Sequence, residues 1–377
     1  MQTRVSEMLG VEFPILAFSH CRDVVAAVTN AGGFGVLGAV AHSPEQLEID
    51  LTWIEEQTHG RPYGVDLLLP AKYTGADDGG LDREAITQLL PPEQQRFVDD
   101  ILARYDVPPL PADADRRTRN DLMRVSPRGY EPLLDVTFAH RTRLIASALG
   151  APPPGLIERA HAAGVAVAAL AGTVPHAERH RAAGVDLIVA QGTEAGGHTG
   201  EIATMVLVPD VVDAVAPTPV LAAGGIGSGR QIAAAMALGA EGVWCGSVWL
   251  TTEEAETQPA VKEKFLTATS RDTVRSRSLT GKPARMLRSS WTDEWESAGA
   301  PAPLAMPLQS ALVAEAQTRI ARSATKPGSG ANQLANYFVG QVVGRMDRIK
   351  PARQVVLDMV NEYADVVSRF AAEAAGS

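Results

Sequence analysis

ERAHAAGVAVAALAGTVPHAERHRAAGVDLIVAQG (residues 158–192) states one pattern twice: an Ala-rich helical stretch stops at Gly, and a short apolar run follows at once. Gly at the helix end supplies a left-handed cap, and a Val/Leu/Ile run without polar alternation suits a strand buried on both faces. The pattern recurs in AAVTNAGGFGVLGA (26–39) and AAMALGAEGVWCGS (234–247). Gly164 and Gly184 lie 20 residues apart, a spacing typical of successive strand and helix units in a parallel sheet. Taken in order, the units predict strands near 13–17, 34–39, 63–69, 143–149, 165–171, 186–191, 219–223 and 242–246. Eight parallel strands close a barrel, so the expected fold is α/β, a (β/α)8 TIM barrel built from residues 1–70 and 141–255.

Two regions break the rhythm. Residues 71–140 are polar and Pro-rich, with PPEQQ, VPPLPADADRRTRND and a helical patch QQRFVDDILARY, and read as an insertion or lid. After Thr251 the strand pattern is expected to stop; a basic segment, RDTVRSRSLTGKPARMLRSS (271–290), leads into a helical appendage over 305–375, so that 256–377 should pack on the barrel.

Composition bounds the function. The chain has 377 residues, 45% hydrophobic and 21% charged, enough for a large core. A net charge of −10 and a pI near 5.4 argue against nucleic acid or an anionic membrane surface as main partner and favour a small-molecule substrate. Cys21 and Cys245 form no CxxC pair, which argues against a disulfide framework or structural zinc. The N-terminus carries Arg4, Glu7 and Glu12 without an apolar core, so no signal peptide is expected, and no segment has 18 consecutive apolar residues; the expected location is the cytoplasm.

Three loops carry the chemistry. VAQGTEAGGHTGE (189–201) surrounds Glu194 and His198 with Gly at the C-terminal end of a strand, where barrel active sites sit. Such a loop exposes backbone N–H groups and projects one imidazole, able to exchange a proton near neutral pH; His198 is the catalytic candidate. PVLAAGGIGSGRQIAAAMALG (219–239), where Gly224, Gly225, Gly227 and Gly229 join a strand to a helix, and VWCGSVWL (243–250), with Gly246 and Ser247 at the end of the next strand, stand where barrel ligands place phosphate groups and are together expected to form one phosphate cup. A Rossmann site would need an acid near the end of the next strand, where Cys245 and Gly246 stand instead.

These loops, with LGVEFPILAF, AGGFGVLGA, PYGVDLLLP and the tail VGQVVGRM, resemble the nitronate monooxygenase family of FMN-dependent barrel enzymes across most of the chain outside 71–140. The resemblance implies FMN as cofactor, with Gln191, Gly192, Gly196 and Gly197 bordering it, Gly224, Gly225, Gly246 and Ser247 on its phosphate, and His198 facing an alkyl nitronate oxidised with O2. Related FMN-dependent enoyl reductases share the paired AGGHxG and AAGGI loops, so an NAD(P)H-dependent reductase of an enoyl thioester or quinone is the alternative; a non-catalytic barrel that binds a phosphorylated ligand is a third. The sequence departs from the family pattern in two places: Phe18 and Ser19, followed by His20, stand where relatives often have a Pro-Met pair, and Asp66, at a flavin-contacting position, stands where many have Asn.

Other residues read as structural. His176 and His180 share a helical spacing in PHAERH, but Glu178 is misplaced for HExxH and no third ligand is evident, so no metal is expected. Cys21 reads as a buried thiol beside His20 at the first strand's exit, and Trp244, Trp249, Trp291 and Trp295 as packing. Arg271, Arg275, Arg277, Lys282, Arg285 and Arg288 read as a solvated face or as a clasp for a phosphate-bearing substrate. The amphipathic tail leaves a homodimer possible.

Overall fold

The computed structural model describes residues 1–70, 73–75, 81, 83–111 and 126–375; most of the Pro-rich run 107–121 of the expected insertion lies outside them. Eight parallel strands form a closed barrel: β1 (Ile15–Ser19), β2 (Phe34–Gly38), β3 (Gly64–Leu68), β4 (Leu144–Ala148), β5 (Ala166–Ala171), β6 (Leu187–Gln191), β8 (Val220–Ala223) and β9 (Val243–Cys245), with β9 closing on β1. The expected strands are all present, the first shifted by two residues. Phe13 is held by Gly32 O and Pro14 has no N–H, so the ladder starts after them.

Strand residues alternate between two cores. Leu16, Phe34, Val36, Leu144, Leu187, Val189 and Leu221 fill the barrel interior, closed below by Val5 and Leu9 of the helix Arg4–Leu9. The intervening Ile15, Leu37, Val65, Ile145, Ile188 and Val243 pack outward against the helices. This parity turns Asp66 and Gln191 inward, above the filled layers.

The strand pattern does not stop at Thr251. Residues 273–287 form an antiparallel hairpin, β10 (Thr273–Ser276) and β11 (Ala284–Leu287), and β11 pairs with a third short strand, β7 (Gly197–His198). Ala284 lies opposite His198. The Arg-rich sequence obscured this hairpin, because Arg275 and Arg285 occupy strand positions of TVRS and ARML that composition assigns to solvent.

Beside the barrel stands a second hydrophobic cluster. Val98, Ile101 and Leu102 of the helix Pro92–Arg104 meet Leu287, Trp291, Trp295, Val313, Ile320 and Val343. The inserted helix and the C-terminal segment therefore share one core. The last helix, Ala352–Ala375, returns to the barrel, where Ala352, Val356 and Met359 join the outer core and Glu362 accepts from Gly229 N at 2.8 Å. No helix among the described residues is long and apolar enough to cross a membrane.

Candidate active site at the barrel mouth

The loop after β6 is tied down from three sides. Gly192 N donates to Ala223 O (2.9 Å) and Thr193 N to Ile202 O (2.8 Å). Glu194 turns back to the helix Thr204–Val215, whose preceding Ala203 offers no capping side chain; its carboxylate accepts from Thr204 N (3.0 Å) and Thr204 Oγ1 (2.8 Å). A carboxylate at a helix start satisfies a free amide and suits the helix dipole. Arg285, buried, donates from Nε to Thr193 O at 2.8 Å, and Arg275 Nη2 donates to Thr199 O at 3.2 Å. These two arginines of the basic run are neither a solvated face nor a free clasp; they brace the glycine-rich loop.

His198 emerges from this braced loop. Its Nε2 lies 2.8 Å from Thr280 Oγ1, and its ring tilts against Phe338 with centroids 6.2 Å apart. Burial, and secondarily the Lys282 ammonium, push the imidazole down to about 4. The ring is thus neutral at physiological pH, with Nε2 engaged by Thr280 and Nδ1 left for chemistry. Neither Thr280 nor Lys282 was singled out beside His198 by the sequence; the signal was the LTG turn of 279–281, legible only once β11 is seen to pair with β7.

The glycines separate into two kinds. A Cβ on Gly192 would meet Thr204 Oγ1 at 2.1 Å, on Gly196 the Gly340 N at 2.8 Å, and on Gly224 the Thr204 Oγ1 at 2.7 Å. Those three let the loops pack on one another. Gly197 faces open space, Gly225 meets nothing closer than 3.4 Å and Gly246 nothing closer than 3.7 Å. There a ligand can approach the backbone.

Gly225 opens a turn beyond β8, and Ser247 follows β9, the strand paired with β8. Among the described residues, none accepts a hydrogen bond from the N–H of Gly225, Ile226 or Ser247. The next amides are engaged: Gly227 N by Gln231 Oε1 (3.0 Å) and Gly229 N by Glu362. Ser247 Oγ accepts from Gly340 N at 2.8 Å, which leaves its own proton to give.

Beside Gly246, Phe18 stacks on Trp244 at 6.2 Å, and His20 lies edge-on to Phe18 at 5.1 Å with Nδ1 donating to Gly38 O at 2.8 Å. A Cβ on Gly38 would stand 2.6 Å from that nitrogen, so His20 needs glycine beneath it. Asp66, buried in β3, has no hydrogen-bond partner for its carboxyl among the described residues, and burial raises its pKa well above the usual carboxylate range. Elsewhere, His180 Nε2 bonds Leu170 O (3.0 Å), Cys21 Sγ bonds Glu254 O (3.1 Å), and Trp291 and Trp295 pack in the second core.

Comparison with known proteins gives concordant results. The family model described as nitronate monooxygenase matches residues 2–362. A Mycobacterium tuberculosis protein whose name describes it as a monooxygenase is 69% identical over 370 residues, covering 98% of both chains. A Staphylococcus saprophyticus protein named as a nitronate monooxygenase is 32% identical, covering 77% of this chain and 79% of its own. Among solved structures, a nitroalkane oxidase from Streptomyces ansochromogenes superposes with a TM-score of 0.78 at 27% identity, over 97% of this chain and 99% of that one. FabK from Thermotoga maritima does so with a TM-score of 0.72 at 28% identity, over 99% of both.

Proposed function

The chain belongs to the nitronate monooxygenase family of oxidoreductases, and from that premise we propose that it is an FMN-dependent enzyme that oxidises alkyl nitronates with O2. The observation that carries this reading is the ring of His198, held through Nε2 by Thr280 at the mouth of a barrel whose last two strands are followed by unengaged backbone amides.

The residues present fit FMN. Amides of Gly225, Ile226 and Ser247, with the Ser247 hydroxyl, would hold the phosphate, since free N–H groups beyond a strand suit an anion. Gln191 and Asp66, turned inward above the filled layers, would contact the polar parts of the cofactor. An un-ionised Asp66 offers the single donor that an ionised one lacks, so it can serve where Asn would. When bound, FMN supplies the redox chemistry, taking electrons from the nitronate and passing them to O2.

The protein's own part is to hold and orient the reactant. His198, kept neutral by burial and fixed through Nε2 by Thr280, would contact the reactant through Nδ1, accepting a hydrogen bond or a proton there. The Arg275 and Arg285 braces keep the loop in place while the reactant is bound.

Purified protein should be yellow, and anaerobic ethyl nitronate should bleach it, with colour returning on exposure to air. Colourless protein that takes up no added FMN would overturn the reading. Bleaching by NADH or NADPH but not by nitronate would replace it with the reductase alternative.

A further inference from the structure

Lys282 stands in the turn between β10 and β11, two residues before the Ala284 that pairs with His198. The turn is held firmly. Gly281 N donates to Arg277 O at 2.9 Å, and Arg277 Nε returns a bond to Gly281 O at 2.8 Å. Gly281 has a φ of 80°, and a Cβ there would stand 2.1 Å from Leu304 O, so the turn is pressed onto the following segment. Thr280 Oγ1 lies 3.3 Å from Lys282 N and 3.2 Å from Lys282 O, and the same oxygen holds His198. One hydroxyl thus fixes both the imidazole and the backbone that carries the ammonium.

The neighbouring arginines are each engaged: Arg275 through Nη2 with Thr199 O and Nη1 with Glu201, although its buried Nε lacks a partner, Arg285 through Nε with Thr193 O and Nη1 with Thr273 Oγ1, and Arg277 through Nε with Gly281 O. Lys282, half-buried and close enough to His198 to bias its protonation, has no acceptor among the described residues. A partly desolvated ammonium left without a partner is unfavourable, and an anion delivered to it gains a charge-assisted hydrogen bond. A neutral imidazole beside an unpaired ammonium distinguishes an anionic reactant from its neutral conjugate acid: the ammonium takes the charge, and the imidazole contacts an adjacent atom.

We propose that Lys282 is the anion-binding residue of the His198 site and sets its preference for negatively charged over neutral small molecules. The inference rests on the reading of the site as one that takes a nitronate, so it is tested by binding as well as by turnover. Nitrate shares the planar, anionic N–O geometry of a nitronate but is not oxidised by a flavin. Calorimetric titration of FMN-loaded protein with nitrate should give a dissociation constant about tenfold or more weaker in Lys282→Met and Lys282→Gln than in the wild type, with Lys282→Arg close to the wild type. For ethyl nitronate, KM should rise by a similar factor in Lys282→Met while kcat changes by less than about twofold, and the lower pKa of the kcat/KM profile should move upward as the ammonium is lost.

Unchanged nitrate affinity in either neutral variant would overturn the proposal. So would absent binding by the wild type, or a loss that Arg does not restore. Lys282-dependent nitrate binding by a protein that never oxidises nitronate would sustain it while defeating the proposed reaction.

Discussion

At the scale of single residues, His198 and Asp66 sit in similar surroundings that push their proton equilibria in opposite directions. Burial and the Lys282 ammonium lower His198 to about 4, so it is already a base across the physiological range. The sign follows: kcat/KM for a nitronate should stay level from neutral pH down to about pH 5 and fall only near pH 4, where His198 gains its proton, instead of falling near the unperturbed value of about 6.5. A pH profile with an acid limb at the ordinary imidazole value would contradict this. Replacing His198 by Asn should leave FMN bound but lower turnover by about 100-fold or more, measured by nitronate-dependent O2 uptake. Asp66 is raised by burial, so the folded state binds its proton more tightly than the unfolded chain does. The stability it contributes is therefore full below about pH 4 and is lost as pH rises towards the folded-state value. Asp66→Asn removes that dependence: the variant's melting temperature should exceed the wild type's at pH 7 to 8 and converge with it near pH 4. Equal differences at both pH values would show that the carboxyl is ionised in the fold.

At the scale of elements, the barrel strands were legible because each is buried on both faces and most follow a glycine at the preceding helix end; β4 and β8, which come after helices whose C-caps are His140 and Ala216, are marked by their apolar runs alone. The Gly-rich loop after β6 was legible because its sequence stands at the end of a strand. What escaped the sequence is long-range pairing. β10 and β11 are half-polar strands of four residues each, and their partner β7 has only two, too short to show any period. Composition likewise assigns Arg275 and Arg285 to solvent, because the carbonyl oxygens that hold them, those of Thr199 and Thr193, lie 76 and 92 residues away in the chain. The C-terminal helix posed a related problem, since an amphipathic stripe does not say what it covers. Gly229 answers it: a Cβ there would stand 2.2 Å from both Met359 O and Tyr363 N, so the helix Ala352–Ala375 docks on its own barrel at a point where only glycine fits. Gly229→Ala should destabilise the protein by about 1–3 kcal/mol in urea unfolding, through displacement of that helix. A variant as stable as the wild type would show that the helix does not dock there in solution.

At the scale of the whole molecule, the residues proposed to hold the cofactor and the reactant come from two bodies. The barrel supplies the unengaged amides, Asp66 and Gln191. The β7–β11 pairing attaches a hairpin that supplies Thr280 and Lys282, and Leu287 of that hairpin is buried in the second core with Ile101 of the inserted helix. Arg319 ties the same region together, donating to Val107 O at 2.8 Å and Pro108 O at 2.9 Å, while Phe97 meets Trp295 edge-on at 5.0 Å. Insertion and appendage thus share one core with the hairpin that pairs with β7. Ile101 is fully buried, and its truncation to Ala should cost about 2–5 kcal/mol in the second core. That core carries the hairpin through Leu287 and also reaches the β9 loop, since Val339 and Val342 flank Gly340, whose N–H donates to Ser247 Oγ; Ile101→Ala should weaken nitrate binding and raise KM for nitronate more than it weakens FMN binding. Parallel titrations with FMN and nitrate measure the two separately. Equal loss of both ligands would mean that the second core supports the barrel mouth as a whole, and loss of neither would mean that the hairpin holds its place through β7 alone.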